Sequence, residues 1–125
     1  MYVYGGRSYM TEGIYAGEGC FLGDLHVLDL KNWSWSKLDK DHKRILSRSI
    51  LGHPGLSLVT RGGHSVNLLG NCLVIFGGED ARWNCPLNDL HVLDLVSRKW
   101  SKPLVRGVPP AGRLHHAATV HTARR

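Results

Sequence analysis

The sequence predicts an all-β protein assembled from repeated four-stranded antiparallel sheets. The heptapeptide DLHVLDL occurs twice, letter for letter, at 24–30 and at 89–95. Each copy is followed at the same distance by Trp-Ser-Lys, which begins at Trp35 and at Trp100. Short apolar runs alternate with Gly, Asn, Asp and Pro, as expected of strands joined by turns, and no stretch shows convincing helical periodicity. Identity over seven residues indicates an internal repeat.

The second copy is complete, and its apolar segments define the elements of one unit. We predict four strands, at 64–69, 72–76, 90–95 and 99–102. Gly70-Asn71 is typical of a tight turn between the first two strands, and 96–98 supplies the last turn. The unit is therefore an antiparallel meander.

The first copy lacks the opening strand. YVYGG at 2–6 corresponds to VIFGG at 74–78, so the first copy begins with strand two, and RLHH at 113–116 loosely repeats RGGH at 61–64. We therefore divide the chain into four parts. Residues 1–38 form a partial unit with strands two to four, and residues 39–60 form an insertion loop. Residues 61–104 form a complete unit, and residues 105–125 form a connector with the first strand of a third unit.

The combination of these motifs over most of the chain resembles the kelch repeat. The apolar run ending in Gly-Gly, the segment NDLHVLDL at 88–95, the tryptophan and Arg-x-x-His all stand at kelch-like spacings. The family often has a tyrosine in the third strand, where this chain has Leu28 and Leu93, a departure that concerns packing. The resemblance implies a kelch-type β-propeller fragment in which each unit is one blade.

The resemblance also implies structural roles for six residues. Two tryptophans are expected to pack between neighbouring blades, and four glycines to allow the backbone where the second strand ends: Trp35, Trp100, Gly5, Gly6, Gly77 and Gly78. Two blades alone would leave edges and apolar faces open to water. We therefore expect further blades or self-assembly to close the ring, and a truncated sequence, a piece of a longer protein and an assembly of copies all fit.

Length and charge bound the function. The chain has 125 residues, 42% of them hydrophobic and 21% charged, which suits one small globular domain. No apolar run approaches the roughly 20 residues of a membrane helix, so we expect no membrane contact. The net charge is +6, but the basic residues are scattered rather than clustered with aromatics, so we expect no nucleic-acid partner.

The N-terminus and the cysteines favour an intracellular protein, cytoplasmic or nuclear. The opening MYVYGGRSYM does not have the basic and apolar regions of a secretory signal. The three cysteines, Cys20, Cys72 and Cys85, are odd in number and form no CxxC pair. This pattern favours reduced thiols over a disulfide framework or a zinc cluster.

Antiparallel strand order predicts that the long loops lie together. Residues 7–23, 39–60, 79–88 and 103–112 all follow strands that run toward the same end of the blades. They vary while the strands repeat, as expected of a scaffold that presents a recognition surface. We predict binding of a partner protein there, through five candidate contacts: Arg82, Trp83, Tyr9, Tyr15 and Phe21.

Two of these features have a second interpretation. Trp83 also fits local packing over the end of the blade. The 39–60 loop has apolar residues at helical spacing, but Gly52, Pro54 and Gly55 would end a helix quickly, so a solvated insertion is the alternative to a short helix.

Catalysis is not expected. His26 and His91 hold the same repeat position, as do His64 and His116, and recurrence with the strand pattern indicates scaffold rather than catalytic or metal-binding residues. The recurring aspartates, at 24 and 29 and again at 89 and 94, are expected to satisfy turn amides. We therefore predict no enzyme activity, no metal and no cofactor.

Family resemblance implies two more specific roles. Kelch propellers joined to an F-box or BTB domain serve as substrate receptors of ubiquitin ligases, and others bind actin or trafficking proteins. The alternative is a fragment of a kelch-propeller enzyme resembling a metal-dependent oxidase. The sequence carries no F-box or BTB segment, and fold by itself does not establish either role.

Overall fold

The described residues, 1–9, 19–38, 60–80 and 85–121 of a computed structural model, contain β-strands and no helix. The nine strands are β1 Tyr2–Tyr9, β2 Gly19–Asp29, β3 Ser34–Lys37, β4 Arg61–Gly62, β5 Ser65–Leu69, β6 Cys72–Phe76, β7 Glu79–Asp80, β8 Leu90–Asp94 and β9 Lys99–Ser101. All pairings between them are antiparallel. The all-β prediction is confirmed. No helix with the length and apolarity needed to cross a membrane occurs in the part of the chain described.

The second sheet is the predicted four-stranded meander, in the order β5-β6-β8-β9. Leu73 lies opposite Leu93, and Leu73, Ile75 and Leu93 form its buried centre, with at most 5% of each residue exposed. Burial of each such side chain contributes about 1.5 to 3 kcal/mol. The apolar runs of the sequence thus become the inner strands of the sheet.

The first sheet has three strands, in the order β1-β2-β3, and its core residues are Tyr4 and Leu25. These two residues are paired in register, and a β-bulge follows between Tyr4 and Gly6. Beyond the bulge β1 and β2 continue as a longer hairpin, in which Tyr9 pairs with Gly19. Much of the region 7–23, which we expected to be a loop, is therefore strand. These strand residues are held by contacts between side chains on opposite strands of the hairpin, and such contacts leave no apolar run in the sequence.

The last aspartate of each DLHVLDL heptapeptide fixes the following turn. Asp29 Oδ1 accepts a hydrogen bond from the Lys31 amide at 2.8 Å. In the other copy, Asp94 Oδ1 accepts bonds from the amides of Val96 and Ser97, both at 2.8 Å. These bonds lower the pKa of the Asp94 carboxyl, because they favour its charged form. The predicted role of aspartates in turns is therefore confirmed for Asp29 and Asp94.

A short two-stranded sheet lies at the junction of the two larger ones. Strands β4 and β7 pair through Arg61 with Asp80 and Gly62 with Glu79. Strand β4 also contacts β1 and β2 of the first sheet. The chain that leads into the second sheet is therefore packed against the first.

Three predicted features stay predictions. Residues 102–121 contain no strand, and the segment expected to open a third blade has no neighbouring strand among the residues described. The short helix or solvated insertion expected at 39–60 falls outside the described residues except for Thr60. The four-part division of the chain likewise remains a prediction.

The junction between the sheets leaves no room for a side chain at Gly78. Its φ is +86°, and a Cβ there would lie 2.6 Å from the carbonyl oxygen of Gly62 and 2.8 Å from Cβ of His64. We expect Gly78→Ala to lower the free energy of unfolding by more than about 2 kcal/mol, from strain and overpacking together. The measurement is urea unfolding followed by circular dichroism.

Gly70 provides the matched control. Its φ is +56°, but no atom lies within 4 Å of the site where a Cβ would stand. Gly70→Ala should therefore show only the cost of the left-handed backbone, about 1 kcal/mol. Equal losses in the two variants would mean that the junction is not tightly packed at Gly78.

Candidate functional site

The two sheets place their longer connections at one end, which we call the loop end. Strands β1 and β6 run toward it, and it contains the hairpin extension at 7–9 and 19–23 together with the connecting residues 77–80, 85–89 and 102–112. The opposite end, which we call the turn end, carries the tight turns at 30–33, 70–71 and 95–98. This arrangement follows from antiparallel order.

A buried arginine organises the loop end. Arg61 is 1% exposed, and its two terminal nitrogens donate to the two carboxylate oxygens of Asp89 at 2.8 and 2.9 Å. One of these nitrogens also donates to the Gly77 carbonyl at 2.9 Å. Nε2 of His91 lies 2.7 Å from Asp89 Oδ2. The fork-shaped contact joins the approach to strand β5 with the end of β6 and the start of β8.

These contacts set the charge of Asp89. Burial by itself would raise the pKa of the carboxyl, but the hydrogen bonds of His91 and Arg61 and the positive charge of Arg61 outweigh burial. The net effect holds the pKa of Asp89 well below its ordinary value, so the carboxylate is ionised near neutral pH. The prediction that Asp89 satisfies turn amides is wrong, because its carboxylate accepts hydrogen bonds from the buried Arg61 guanidinium.

The first sheet repeats half of this cluster. Asp24 Oδ2 lies 2.8 Å from Nε2 of His26 and 3.7 Å from Nζ of Lys37. Burial alone would raise the pKa of Asp24, but the hydrogen bond with His26 and the neighbouring charges lower it overall. No arginine pairs with Asp24 among the described residues. Here too the expected role in a turn is wrong.

The contacts between the sheets centre on Tyr4. Its ring makes edge-to-face contacts with His64 at 5.6 Å and with Trp100 at 5.4 Å between centroids. His64 Nε2 also lies 3.0 Å from the Tyr4 carbonyl oxygen. Burial, opposed by this hydrogen bond, lowers the pKa of His64, and the nearby Arg61 charge lowers it further. The neutral imidazole that results donates to the carbonyl.

The same junction begins again at the end of the second sheet. Phe76, which corresponds to Tyr4, contacts the ring of His116 at 5.5 Å. The Gly78 amide donates to the Arg113 carbonyl at 2.8 Å. A Cβ on Gly77 would lie 2.7 Å from that same carbonyl oxygen. The segment RLHH at 113–116 therefore contacts the second sheet in the way that RGGH at 61–64 contacts the first.

Two of the predicted partner contacts lie together on the hairpin extension. The Arg7 guanidinium stands 5.6 Å from the centre of the Tyr9 ring and 5.9 Å from that of Phe21. Tyr9 is 61% exposed, whereas Phe21 is half-buried and packs close to Gly62. Arg7, which no sequence pattern singles out as a contact, lies opposite Phe21 in the register of the hairpin. We call Arg7, Tyr9 and Phe21 the hairpin patch.

The other predicted contacts cannot be placed in the same way. Tyr15, Arg82 and Trp83 lie outside the described residues. Trp100 lies against Tyr4 as given above, whereas Trp35 is 55% exposed on β3, with no sheet packed on it among the residues described. The packing role of Trp35 stays a prediction.

A groove of about 480 Å³ opens at the loop end of the second sheet. Its walls are Phe76 and Leu90 on the sheet, Asn88 and Asp89 just before β8, and residues 102, 103 and 105–110 of the chain that follows β9. That chain holds Leu104 and Val108 almost fully exposed, at 99% and 97%. The three cysteines are free. The described residues contain no group of three or more His, Cys, Asp or Glu that would hold a metal ion.

Comparison with known proteins agrees with the repeat pattern. A family model described as the KLHDC2/KLHL20/DRC7 Kelch-repeats domain matches residues 1–125. Acyl-CoA-binding domain-containing protein 5 of Arabidopsis thaliana is 36% identical, over 99% of this chain and 25% of its own length. Kelch domain-containing protein 3 of Mus musculus is 38% identical over 96% and 26%, and Host cell factor 2 of Homo sapiens 31% identical over 96% and 15%. The chain spans about a quarter or less of these curated relatives.

The buried fork leads to a prediction about stability. Removal of one partner of a buried, hydrogen-bonded ion pair leaves an uncompensated charge and costs about 3 to 5 kcal/mol. We expect Asp89→Asn to approach that loss in urea unfolding. Asp24→Asn is the repeat-matched control, since its carboxylate lacks an arginine fork among the described residues, and should cost below about 1 kcal/mol. Similar losses in both variants would contradict a special role for Arg61.

The pH dependence provides a separate check. Because the folded-state pKa of Asp89 lies below its unfolded value, its stabilising contribution is present above about pH 4 and is lost as the pH falls below it. The free energy of unfolding should thus drop in acid, and the drop should be smaller in Asp89→Asn. Because His64 is present in both proteins, its own contribution cancels in the comparison. Parallel pH curves would refute this assignment.

Proposed function

The chain belongs to the kelch-repeat family, and on that basis we propose that it is a protein-interaction module that holds a partner protein at its loop end. The family supports this coarse function. The partner's identity and the contact residues are our own proposals, because the chain covers only a small part of its relatives.

The observation that carries the proposal is the hairpin patch. Arginine and aromatic residues are over-represented among the side chains that dominate binding energy. In the patch, the Arg7 guanidinium lies near the Tyr9 and Phe21 rings, on strands fixed by cross-strand pairing. A patch held this way loses little conformational freedom on binding, so more of its contact energy appears as affinity. Arg82, Trp83 and Tyr15 are proposed as further contacts from the neighbouring connections.

The histidines support a role without catalysis. His91 and His26 each bond to an aspartate of their own sheet, and His64 bonds to a backbone carbonyl. The histidine–aspartate contact recurs in both sheets, which supports a scaffold role for His26 and His91. The oxidase-like alternative has no comparable support.

The relatives support an adaptor role. The matched segment recurs in proteins whose names describe an acyl-CoA-binding domain, a host cell factor and a kelch domain. A segment shared by proteins so differently named is better explained by interaction than by one common reaction. Within this role we propose a substrate receptor of a ubiquitin ligase, in the cytoplasm or nucleus.

Partner capture with paired variants tests the binding surface. The complete protein is expressed in cells, captured, and compared with Arg7→Glu and Tyr9→Ala by quantitative mass spectrometry. Partners that require the loop end should fall at least about tenfold, because these residues are interface anchors. The Arg82→Ala/Trp83→Ala double variant tests the second connection separately. Co-capture of ubiquitin-ligase subunits would support the more specific role.

Substitutions at the turn end are the matched controls. Trp33 and Val96 are 73% and 76% exposed, so Trp33→Ala and Val96→Ala remove similar apolar surface from the opposite end. They should leave capture unchanged. Loss of partners in the turn-end variants, with retention in the loop-end variants, would move the binding surface to the other end and overturn the proposal.

A further inference from the structure

Two pairs of histidines have different chemical surroundings in this fold. His26 and His91, from the two heptapeptides, each place Nε2 beside an aspartate carboxylate oxygen, at 2.8 and 2.7 Å. His64 and His116 instead lie beside a backbone carbonyl and a serine hydroxyl, with no carboxylate in hydrogen-bond distance in the described part of the chain. A charged imidazole donates from both ring nitrogens and is stabilised by a nearby carboxylate. The first pair thus has a partner suited to the charged form, and the second pair does not.

His64 is held where a second ring proton meets no acceptor. Its Nε2 donates to the Tyr4 carbonyl oxygen at 3.0 Å, and its Nδ1 is buried without a hydrogen-bond partner among the described residues. The space around the side chain is narrow. Its Cε1 lies 3.4 Å from where a Cβ on Gly5 would stand, and its Cβ lies 2.8 Å from the same point on Gly78. Protonation of Nδ1 would therefore bury an unpaired donor together with a charge, and both are unfavourable.

The groups that face His64 disfavour a positive charge on its ring. Strand β4 contributes the buried guanidinium of Arg61, and the segment after β9 contributes the imidazole of His116. The first sheet faces the ring with the aromatic side chain and the carbonyl oxygen of Tyr4. The Asp89 carboxylate, which lies beside Arg61, already accepts from both terminal nitrogens of that arginine. These surroundings lower the pKa of the His64 imidazole, and burial is the largest cause.

His116 repeats this arrangement on the second sheet. Its Nε2 lies 3.0 Å from Oγ of Ser65, and its ring contacts the ring of Phe76 at 5.5 Å. Its Nδ1 is also buried, with no hydrogen-bond partner in the part of the chain described. Whichever nitrogen carries the proton in the neutral ring, the charged ring has an Nδ1–H without an acceptor there. Both contacts therefore favour the neutral imidazole.

The segment that carries His64 also supports the hairpin patch. Strand β4 ends two residues before His64, and a Cβ on Gly62 would lie 2.8 Å from Cε1 of Phe21 and 3.4 Å from Cβ of Arg7. The Phe21 ring thus rests against the backbone of β4. Separation of this segment from the first sheet would remove the support from the ring over which the Arg7 guanidinium lies. The contact of His64 is therefore coupled to the geometry of the patch.

We propose that the hairpin patch is an acid-released binding site, in which protonation of His64 and His116 separates residues 61–64 from the first sheet and leaves Phe21 unsupported. The Arg61 fork keeps this segment on the second sheet, so the opening occurs against the first. The inference rests on the proposed function, because the patch is the site from which the partner is released.

The direction of the pH effect follows from linkage. The folded-state pKa of His64 lies below the ordinary imidazole value of 6.5, so the open state binds protons more readily than the closed state. The closed contact is therefore fully stable above about pH 6.5 and weakens as the pH falls below it. This range is separate from that of Asp89, whose contribution is lost only below about pH 4.

Nuclear Overhauser contacts in the 125-residue chain test the opening without any partner. Contacts of the Tyr4 ring with the His64 ring, and of the Phe21 ring with Gly62, should weaken as the pH falls from about 7.5 to about 5.5. Contacts between Leu73 and Leu93, in the buried centre of the second sheet, should persist over the same range. The circular dichroism should also be retained, because the sheets separate without unfolding.

Glutamine substitutions identify the titrating groups. In His64→Gln the side-chain amide reaches the position of Nε2 and can donate to the Tyr4 carbonyl, but it does not titrate, so the contacts should persist at about pH 5.5. His26→Gln makes the same change at a histidine with a carboxylate partner and should behave like the parent. His116→Gln removes one of the two charges gained in acid and should move the transition to lower pH. It keeps the test decisive if His64→Gln does not fold.

Partner capture at two pH values tests the release itself. Partners that the parent binds at about pH 7.5 and that Arg7→Glu loses should fall at least about fivefold at about pH 5.5, as expected for coupled sites. His64→Gln should retain them. An Arg7-dependent partner that stays bound to the parent in acid would overturn this inference and leave the proposed function intact. Absence of any Arg7-dependent partner would overturn the proposed function, whereas the nuclear Overhauser contacts decide the acid opening by themselves.

The structural measurements can refute the opening in three ways. Contacts between Tyr4 and His64 that persist in the parent at about pH 5.5 would show that the junction does not open. A pH response that is the same in the parent, His64→Gln and His116→Gln would assign it to other groups. Loss of the Leu73 contact with Leu93 over the same pH range would mean unfolding of the sheet rather than separation of the two sheets.

Discussion

A guanidinium taken out of water needs hydrogen-bond partners within the fold, and the Arg61 pair with Asp89 is the contact on which this structure depends. The side chain ties three parts of the second sheet together, since it also reaches the Gly77 carbonyl. The Arg61 carbonyl oxygen meanwhile lies 3.1 Å from the place where a Cβ on Gly5 would stand. One residue therefore fixes the inside of one sheet and its contact with the other.

This arrangement explains why the double glycines recur. A Cβ on Gly5 would meet the Leu22 carbonyl oxygen at 2.7 Å and the Arg61 carbonyl oxygen at 3.1 Å, and a Cβ on Gly77 would meet the Arg113 carbonyl oxygen at 2.7 Å. Both residues have positive φ, which glycine adopts without strain. The glycines allow the close backbone approach at the junction, and the arginine supplies its buried ion pair. Together they hold the loop end in place. Surface residues such as Arg7 are presented on a scaffold whose position is determined by buried contacts.

The sequence predicted most of what is local and little of what joins distant segments. The strands and turns of the second sheet follow from apolar runs and from Gly70-Asn71, because both signals arise within a few residues. The Asp89 contact with Arg61 spans 28 residues, and the local sequence predicts a turn role for Asp89 instead. The local sequence also predicts a loop where the hairpin extension lies, because the pairing of Arg7 with Phe21 leaves no periodic pattern. Tertiary pairing, rather than propensity, decides both features.

The direction of the strands determines which end of each sheet presents the proposed binding surface. Strands β1 and β6 run toward the same end of the molecule, so the two sheets point their loop ends the same way. A partner with two contact sites would meet both loop ends on one side, and linked weak contacts raise the affinity without any new contact type. Modest patches such as that around Arg7 gain strength by this route.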